Sequence, residues 1–216
     1  LRAGNFEAAV ILPNSLRTAL EPWLAGIPRR VGYPGHRRSW LLNQVWRDKK
    51  KKKLPGPPRH QVHDYLRLAE FIGAEIEDVQ TAPRPPRTAG AVLKIGVVPG
   101  AEYGPAKRWP AERFRETMDK FTPAGGCEWT IFGVTKDAEF ADAIAKDFIG
   151  RLTNRVGQTT LRELIDELRA CDALLTNDTG TMHLAAMLGV PVVAIFGSTE
   201  PALTGPLGQN HRVLRQ

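Results

Sequence analysis

Short apolar runs alternate with amphipathic segments through the second half of the chain, and this alternation constrains the fold more than any other feature. The runs predict strands at Val92 to Val98, Glu128 to Phe132, Ala173 to Thr176 and Val192 to Phe196. The segments between them predict helices at Ala111 to Phe121, Asp137 to Phe148, Thr160 to Ala170 and Thr181 to Leu188. A capping box of Thr160 with Glu163 is predicted to open the third of these helices. Strands separated by helices in this way form a doubly wound parallel sheet. The predicted fold class is therefore α/β.

The first part of the chain shows a less regular alternation of strands and helices, with parts missing. Glu7 to Leu12 predicts a buried strand, and Asn14 or Ser15 then supplies the N-cap of a helix that runs to about Leu24. A short strand is predicted at Arg30 to Tyr33. Two further helices are predicted, at Ser39 to Trp46 and at His60 to Ile72.

A proline-rich break at Thr81 to Arg87 divides these two parts. We place a partial first lobe at 1–82, a linker at 83–90 and a second lobe at 91–216. The chain opens without methionine, enters a strand almost at once and closes soon after a turn-rich stretch. We therefore expect both lobes to be incomplete and the end of the second lobe to be missing.

The net charge of +7 favours an acidic partner, which is a phosphorylated sugar, an anionic lipid headgroup or a nucleic acid. The lysine run Lys49 to Lys53 lies in a segment whose charge and prolines forbid a packed element. This run is either a solvated loop or a contact with anionic lipid or phosphate. A nucleic-acid partner is disfavoured, because the run lacks interleaved aromatic residues and no RNA- or DNA-binding motif is present.

The composition, with 42% hydrophobic and 25% charged residues, is that of a globular protein and excludes general disorder. No run reaches the roughly 18 to 20 apolar residues of a membrane-spanning helix, and Leu1 to Gly4 does not open a signal peptide. A soluble cytoplasmic protein is expected. Cys127 and Cys171 have no zinc-type spacing, so we interpret both as structural thiols rather than metal ligands or a disulfide.

The loops after the predicted strands of the second lobe are expected to carry the chemistry, because ligands bind outside the carboxyl ends of the strands in such a sheet. Three of these loops are unusually rich in glycine, threonine and serine. That composition suits oxyanions, since glycine lets backbone amides approach and small hydroxyls donate without crowding. The loops lie at Pro99 to Pro110, Gly133 to Asp137, Asn177 to Met182 and Gly197 to Pro206.

The loop Asn177 to Met182 leads from a buried strand directly into a helix. The free amides and the dipole of that helix start favour an anion such as a pyrophosphate, and His183 lies near enough to add a polar contact. Asp178 has two interpretations, as a helix N-cap or as a carboxylate that binds sugar hydroxyls or a metal. Thr179 and Thr181 are equally good caps, which weakens the first interpretation.

The loop Pro99 to Pro110 places two cations at the same edge. Lys107 is predicted to neutralise a leaving diphosphate as a point charge, whereas Arg108 is either functional or a surface residue that packs on Trp109. The loop matches neither the P-loop nor the GxGxxG dinucleotide pattern. The sequence motifs that would best indicate ATP hydrolysis or hydride transfer are therefore absent from this loop. The chain also has no GxSxG elbow.

The same loop, Pro99 to Pro110, closely resembles a segment of the lipopolysaccharide heptosyltransferases, glycosyltransferase family 9. Asn177 to Ala186 resembles that family's donor loop, and Phe196 to Gly208 resembles the segment after it. In the first lobe, Leu12 to Ser15 and Gly26 to Tyr33 match the heptosyltransferase II branch. The resemblance covers nearly the whole chain, and it implies the GT-B fold of two Rossmann-like, doubly wound lobes.

By this likeness the enzyme is an inverting glycosyltransferase that moves L-glycero-D-manno-heptose from ADP-heptose to the anionic inner core of lipopolysaccharide. The resemblance implies no cofactor and no clear need for a metal, and it gives Lys107 and Asp178 catalytic roles. The implied donor-binding residues are Gly100, Ala101, Lys107, Thr159, Asp178, Thr179, Gly180 and His183. The enzyme would act in the cytoplasm, with peripheral contact at the inner membrane surface as an open option.

Two departures from the family bear on these expectations. The family's general base lies in a glycine-containing loop that would precede Leu1, so we expect this chain alone to bind donor but to be inactive. The family's acidic ribose contact has no assigned counterpart in Gly133 to Asp137, where Thr135 is a weak candidate. The alternatives to a transferase are a sugar-nucleotide epimerase of GT-B-like fold and, less favoured, a basic nucleic-acid-binding module.

Overall fold

The computed structural model describes residues 1–47, 59–77, 80–84, 90–102, 105–122 and 126–215. The chain divides into two units, Leu1–Asp78 and Val79–Gln216. This division falls a few residues before the predicted linker at 83–90. The lysine run Lys49 to Lys53 and residues 85–89 of that linker lie outside the described residues.

The first unit contains a parallel sheet of three strands in the order β1-β2-β3. Its strands are β1 (Ala8–Ile11), β2 (Arg29–Gly32) and β3 (Gln44–Val45), and its helices are α1 (Leu16–Leu24) and α2 (Val62–Phe71). In the register of the sheet, Val31 lies opposite Val10 on one side and Gln44 on the other. The structure confirms both strands predicted in this unit, and it confirms the helix that runs to Leu24 and the helix at His60 to Ile72. The ends of these elements are shifted by one or two residues.

Helix α1 begins at one of its two predicted caps. The hydroxyl of Ser15 accepts a hydrogen bond from the amide of Thr18 at 3.2 Å. This bond satisfies one of the amides that the first turn of a helix leaves free. The helix then packs Ala19 into a small core with Ile11 and Leu41.

The helix predicted at Ser39 to Trp46 is wrong, because turns there lead into the short strand β3. The side chain of Asn43 accepts a hydrogen bond from the amide of Arg30 at 2.8 Å and donates one to the carbonyl of Pro28 at 2.5 Å. These bonds tie the segment to Arg30 of strand β2 and to Pro28 just before that strand. Tertiary contacts of this kind outweigh a weak local preference for helix.

The second unit contains six parallel strands in the order β6-β5-β4-β7-β8-β9. The strands are β4 (Leu93–Val98), β5 (Cys127–Ile131), β6 (Arg151–Asn154), β7 (Ala173–Asn177), β8 (Val192–Phe196) and β9 (Arg212–Arg215). The helices are α3 (Ala111–Phe121), α4 (Ala138–Ala145), α5 (Leu161–Ala170), α6 (Gly180–Met187) and α7 (Pro201–Thr204). This order confirms the predicted doubly wound α/β class.

Strands β6 and β9 were not predicted, and both lie at the edges of the sheet. All four residues of β9 are exposed, and β6 alternates between exposed and half-buried residues. An edge strand needs few apolar side chains, because much of it faces solvent. Apolar runs therefore reveal the four central strands and miss the two outer ones.

Successive residues of a strand point to opposite faces of the sheet, and β4 shows this clearly. Val97 packs in a core with Phe114 of α3 and Ile144 of α4. Val98 packs in a second core with Met182 of α6. Helices α3 and α4 thus cover one face of the sheet, and α5 and α6 cover the other.

The two cysteines are buried free thiols, as predicted, with Cys127 in the first of these cores and Cys171 in the second. Burial raises the pKa of the Cys171 thiol to about 11. The backbone carbonyl of Cys171 accepts a hydrogen bond from Arg84 at 2.5 Å, and Arg84 also pairs with Asp172 at 3.3 Å. These contacts hold the start of the predicted linker on the second unit.

The predicted capping box of Thr160 and Glu163 opens helix α5. The carboxylate of Glu163 accepts a hydrogen bond from the amide of Thr160 at 2.7 Å, and the Thr160 hydroxyl accepts one from the amide of Glu163 at 3.3 Å. The bonds from the Thr160 amide and hydroxyl hold the pKa of Glu163 below its ordinary value. The box fixes where the loop after β6 ends, beside Thr159.

Candidate functional site

Strands β4 and β7 are neighbours in the middle of the six-stranded sheet, and the chain leaves them toward opposite faces. After β4 it enters α3, which packs in the first core, and after β7 it enters α6, which packs in the second. A crevice opens between two such loops at the carboxyl edge of a doubly wound sheet. The predicted chemical loops Pro99 to Pro110 and Asn177 to Met182 are these two loops.

The buried side chain of Asn177 joins the two loops. Its Nδ2 atom donates to the carbonyl of Pro99 at 2.7 Å, and its Oδ1 atom accepts from the amide of Trp109 at 3.1 Å. Both ends of the loop after β4 are therefore fixed to the end of β7. Sequence reasoning missed this role, although a fully polar side chain at the end of an apolar strand was a visible signal.

Lys107 and Asp178, the two predicted catalytic residues, form an ion pair in this crevice. The Lys107 Nζ atom lies 2.5 Å from Asp178 Oδ2, and the two side chains are 16% and 8% exposed. The hydroxyl of Thr199, from the loop after β8, donates to the same carboxylate oxygen at 2.8 Å. Three loops thus meet at one carboxylate, which places the ammonium of Lys107 at the crevice.

Asp178 is not the cap of helix α6, so that interpretation of the residue is wrong. The N-cap is Thr179, whose hydroxyl accepts a hydrogen bond from the amide of Met182 at 3.3 Å. A Cβ atom added at Gly180, the first residue of the helix, would meet no atom within 4 Å. The helix start is therefore open to a ligand on the side of Gly180.

A cavity of about 330 Å³ adjoins this helix start. Its lining contains five of the predicted donor residues, namely Gly100, Ala101, Thr159, Thr179 and Gly180. The others, Lys107, Asp178 and His183, do not belong to the lining among the described residues. Asp178 directly precedes the lining residue Thr179, Lys107 pairs with Asp178, and His183 is half-buried on helix α6.

Asp137 also lines the cavity, and the sequence did not single it out as a site residue. Its buried carboxylate accepts hydrogen bonds from the amide of Val134 at 3.2 Å and from Arg108 Nη2 at 3.2 Å. A Cβ atom added at Gly100 would lie 2.5 Å from one of its oxygens, so only glycine fits there. The guanidinium of Arg108 also lies 5.8 Å from the ring centroid of Phe140.

Two further charged residues, Glu102 and Lys136, line the cavity and pair with each other at 2.6 Å. They connect the loop after β4 with the loop after β5. Thr135, the weak candidate for a ribose contact, is absent from the described lining. Both side chains of the pair resembled ordinary surface charges in the sequence, so no local pattern singled them out.

A larger cavity, of about 480 Å³, lies elsewhere on the second unit. Its lining includes Lys94, Glu128 and Arg151, which stand near the beginnings of β4, β5 and β6. Since ligands of doubly wound sheets bind at the other end of the strands, we do not place the donor there.

A sequence model of glycosyltransferase family 9 (heptosyltransferase) matches residues 1–216. This chain belongs to glycosyltransferase family 9. The family 9 chain is 34% identical over 238 residues to lipopolysaccharide heptosyltransferase 2 of Escherichia coli (strain K12), covering 100% of itself and 66% of that relative. It is 31% identical to lipooligosaccharide heptosyltransferase 2 of Haemophilus influenzae, covering 98% of itself and 66% of that relative.

Among solved structures, E. coli ADP-heptose lps heptosyltransferase II is similar to the family 9 chain, with a TM-score of 0.77 and 31% sequence identity. The match covers 99% of this chain and 69% of that one. It confirms the predicted GT-B fold class and the resemblance on which that prediction depended. The chain spans 66% of the length of the curated relatives named above.

No described helix is long and apolar enough to cross a membrane. Within the same residues, no group of three or more His, Cys, Asp or Glu side chains is placed to hold a metal ion.

Proposed function

We propose that the whole enzyme transfers L-glycero-D-manno-heptose from ADP-heptose to the inner core of lipopolysaccharide, with inversion at the anomeric carbon. The observation that carries this proposal is the Lys107–Asp178 pair beside the open start of helix α6. A cation and a helix start at the switch point of the sheet suit a nucleoside diphosphate. Relatives whose names specify heptose transfer support the choice of sugar.

Lys107 would act on the leaving group. Negative charge grows on the diphosphate as the glycosidic bond breaks, and a fixed ammonium nearby stabilises that charge more in the transition state than in the ground state. The pair with Asp178 holds the ammonium in place before the donor arrives. With the free amides of helix α6 as further donors, this mechanism requires no metal ion.

Asp178 would face the sugar rather than the phosphates. An ionised carboxylate only accepts hydrogen bonds, so it binds hydroxyl groups and is repelled by phosphate oxygens. The hydroxyl of Thr199 donates a hydrogen bond to one oxygen of this carboxylate, Oδ2. The carboxylate can still accept a hydrogen bond from a heptose hydroxyl. The residue thus has two roles in the proposal, since it positions Lys107 and orients the transferred sugar.

The acceptor hydroxyl would attack from the face of the sugar opposite the diphosphate, which gives inversion in one displacement. A general base in the loop that, by family resemblance, precedes Leu1 would remove its proton. Because the acceptor is an anionic, lipid-linked sugar, we also propose peripheral contact with the inner membrane surface during transfer.

Calorimetric titration of this chain with ADP, ADP-heptose, UDP and NAD tests the donor site. We expect the adenine diphosphates to bind best and the variants Lys107→Ala and Asp178→Ala to lose that preference. Tightest binding of UDP or NAD, or normal ADP binding by both variants, would disprove the assignment. Incubation of the whole enzyme with ADP-heptose alone separates a transferase from an epimerase, because only an epimerase changes the donor without an acceptor.

A further inference from the structure

The cavity of about 330 Å³ beside helix α6, which we call the donor cavity, differs in chemistry from one part of its lining to another. The open start of helix α6 at Gly180 suits phosphate oxygens. Val134, Leu161 and Leu164 form an apolar part of the lining, after β5 and at the beginning of helix α5, which suits an aromatic base. The ribose that joins a base to a diphosphate would lie between these two parts.

Two of these apolar side chains are largely exposed. Val134 is 55% and Leu161 is 68% exposed, although both line the donor cavity. Large apolar side chains at an open cavity lose contact with water when a flat base covers them, and this burial favours binding. Their exposure therefore supports a base, rather than a phosphate, at this part of the lining.

Glu102 and Lys136 give the donor cavity a hydrogen-bond acceptor and a donor side by side. The Lys136 Nζ atom lies 2.6 Å from Glu102 Oε2, and the two side chains are 47% and 73% exposed. Because the opposite charges of this pair largely cancel, it attracts a phosphate less than a lone lysine does. It suits a neutral group that both donates and accepts hydrogen bonds, as each hydroxyl of a sugar does.

The other carboxylate of the described lining, Asp137, is already used. It is 4% exposed, and it accepts hydrogen bonds from the amide of Val134 and from Arg108 Nη2, both at 3.2 Å. The backbone of Gly100 lies so close that a Cβ atom there would stand 2.5 Å from this carboxylate. Among the described lining residues, Glu102 is therefore the carboxylate that a ligand can reach.

We propose that Glu102 and Lys136 bind the vicinal hydroxyls of the donor's ribose. The carboxylate accepts hydrogen bonds from the hydroxyls, and the ammonium donates to one of them. Acidic side chains at this edge of doubly wound sheets bind ribose hydroxyls in dinucleotide-binding proteins. The inference rests on the proposed function, because it takes a nucleoside diphosphate as the ligand of the donor cavity. It makes the pair a determinant of specificity that selects ribonucleotides over deoxyribonucleotides.

Calorimetric titration of this chain with ADP, 2′-deoxy-ADP and 3′-deoxy-ADP tests the inference. ADP should bind about tenfold or more tightly than at least one of the deoxynucleotides, because each of them lacks a hydroxyl that the pair would bind. The analogue that loses more affinity identifies the hydroxyl on which the preference depends. Equal binding of all three nucleotides would overturn the proposal.

Variants of the pair decide whether this preference for ribose comes from Glu102. In Glu102→Ala the preference should disappear, and in Lys136→Ala it should fall by about two- to fivefold. Glu128→Ala, which breaks an exposed pair with Arg151 on the same unit, is the matched control and should keep the full preference. Melting curves check that each variant is folded. A Glu102→Ala variant with the preference of the parent chain would contradict the assignment.

The ratio of affinities is the decisive quantity, because a carboxylate near a diphosphate also repels it. Loss of the Glu102 charge changes the affinity of all three nucleotides by one common factor, and the ratio of ADP to deoxynucleotide affinity cancels that factor. An effect of Glu102 through charge alone would therefore leave the ratio unchanged. Only contact with a ribose hydroxyl changes it.

Lys107→Ala keeps this test apart from that of the proposed function. Lys107 is placed on the phosphates, so its loss should weaken all three nucleotides by the same factor and preserve the preference for ribose. If ADP binds and the missing hydroxyls have no effect, the assignment of the Glu102–Lys136 pair fails while the donor site stands. If no adenine nucleotide binds, the donor site itself fails, and the inference fails with it.

Discussion

Lys107 Nζ lies 2.5 Å from Asp178 Oδ2, although the two residues stand in loops that follow different strands of the sheet. The lysine belongs to the loop after β4, and the aspartate follows β7 directly. Their pairing means that the cation is in place before any donor binds. A preorganised charge of this kind needs no rearrangement when negative charge develops on the leaving group.

Replacement of Lys107 by alanine should therefore slow the chemical step. We expect turnover of the whole enzyme to fall by about 100- to 1,000-fold, the usual cost of losing one preorganised donor to a developing anion. Calorimetry on this chain should show ADP binding weakened by about tenfold or more. Lys120→Ala, an exposed lysine on α3, is the matched control and should retain both properties.

The stability of the pair itself can be measured with a double-mutant cycle. Lys107→Ala and Asp178→Ala each leave one charge mostly buried without its partner, whereas the double variant leaves neither. The free energies of unfolding in urea should therefore be non-additive, with a coupling energy of about 0.5–3 kcal/mol. Additive effects would show that the two groups do not interact in solution.

Much of this fold could be predicted because apolar runs and caps are local signals. The capping box of Thr160 and Glu163 and the N-cap Ser15 were found where they were predicted. The predicted helix at Ser39 to Trp46 failed for a different reason. The bonds from Asn43 to Arg30 and Pro28 join residues more than ten positions apart, and no local pattern predicts them.

Some residues of the candidate site could likewise be predicted from local sequence patterns, and others could not. Composition of the loops pointed to Lys107, because a lysine in a glycine-rich loop suggests an anion site, and to Asp178, because a carboxylate beside such a site suits sugar hydroxyls or a metal. It did not point to Asn177 or Asp137, whose partners lie in other loops. Their roles depend on which strands are neighbours, and that information exists only in the folded sheet.

Two glycines of the cavity should differ in how their replacement by alanine affects stability. At Gly100 the new Cβ would lie 2.5 Å from the carboxylate of Asp137, so Gly100→Ala should displace that side chain, lower the melting temperature and weaken ADP binding. At Gly180 the new Cβ meets no atom within 4 Å, so Gly180→Ala should fold with unchanged stability. If a diphosphate occupies the open helix start, Gly180→Ala should still weaken ADP binding. Normal ADP affinity in Gly180→Ala would contradict that placement.

Stability should fall in alkaline solution because of Cys171. Burial raises the pKa of its thiol from 9.0 to about 11, so the native state holds this proton more tightly than the unfolded state does. The resulting stabilisation is complete below about pH 9 and is lost as the pH rises to about 11, with a total of at most about 2–3 kcal/mol. Urea unfolding under reducing conditions measures it. The stability difference between the parent chain and Cys171→Ala should shrink over this pH range, and a constant difference would contradict the prediction.

Arg108 should act on the donor through its neighbour Lys107. Lys107 contacts Asp178, Arg108 contacts Asp137, and the amide of Trp109 contacts Asn177, so three successive residues fix the loop to three different partners. Loss of the middle contact should let the loop shift, and a small displacement of a binding group lowers affinity. We therefore expect Arg108→Ala to weaken ADP binding by about three- to tenfold.

The effect of Arg108→Ala on ADP affinity, measured with and without Lys107, distinguishes this positioning role from direct contact between Arg108 and the donor. If Arg108 acts only by placing Lys107, then Arg108→Ala should cause no further loss of ADP affinity in a Lys107→Ala background. If Arg108 touches the diphosphate itself, the two losses should multiply, since independent contacts add in free energy. Asp137→Asn, which removes the charge that holds Arg108 but keeps the side chain's size, should follow Arg108→Ala in both backgrounds. Melting curves of all variants separate these changes in affinity from a general loss of stability.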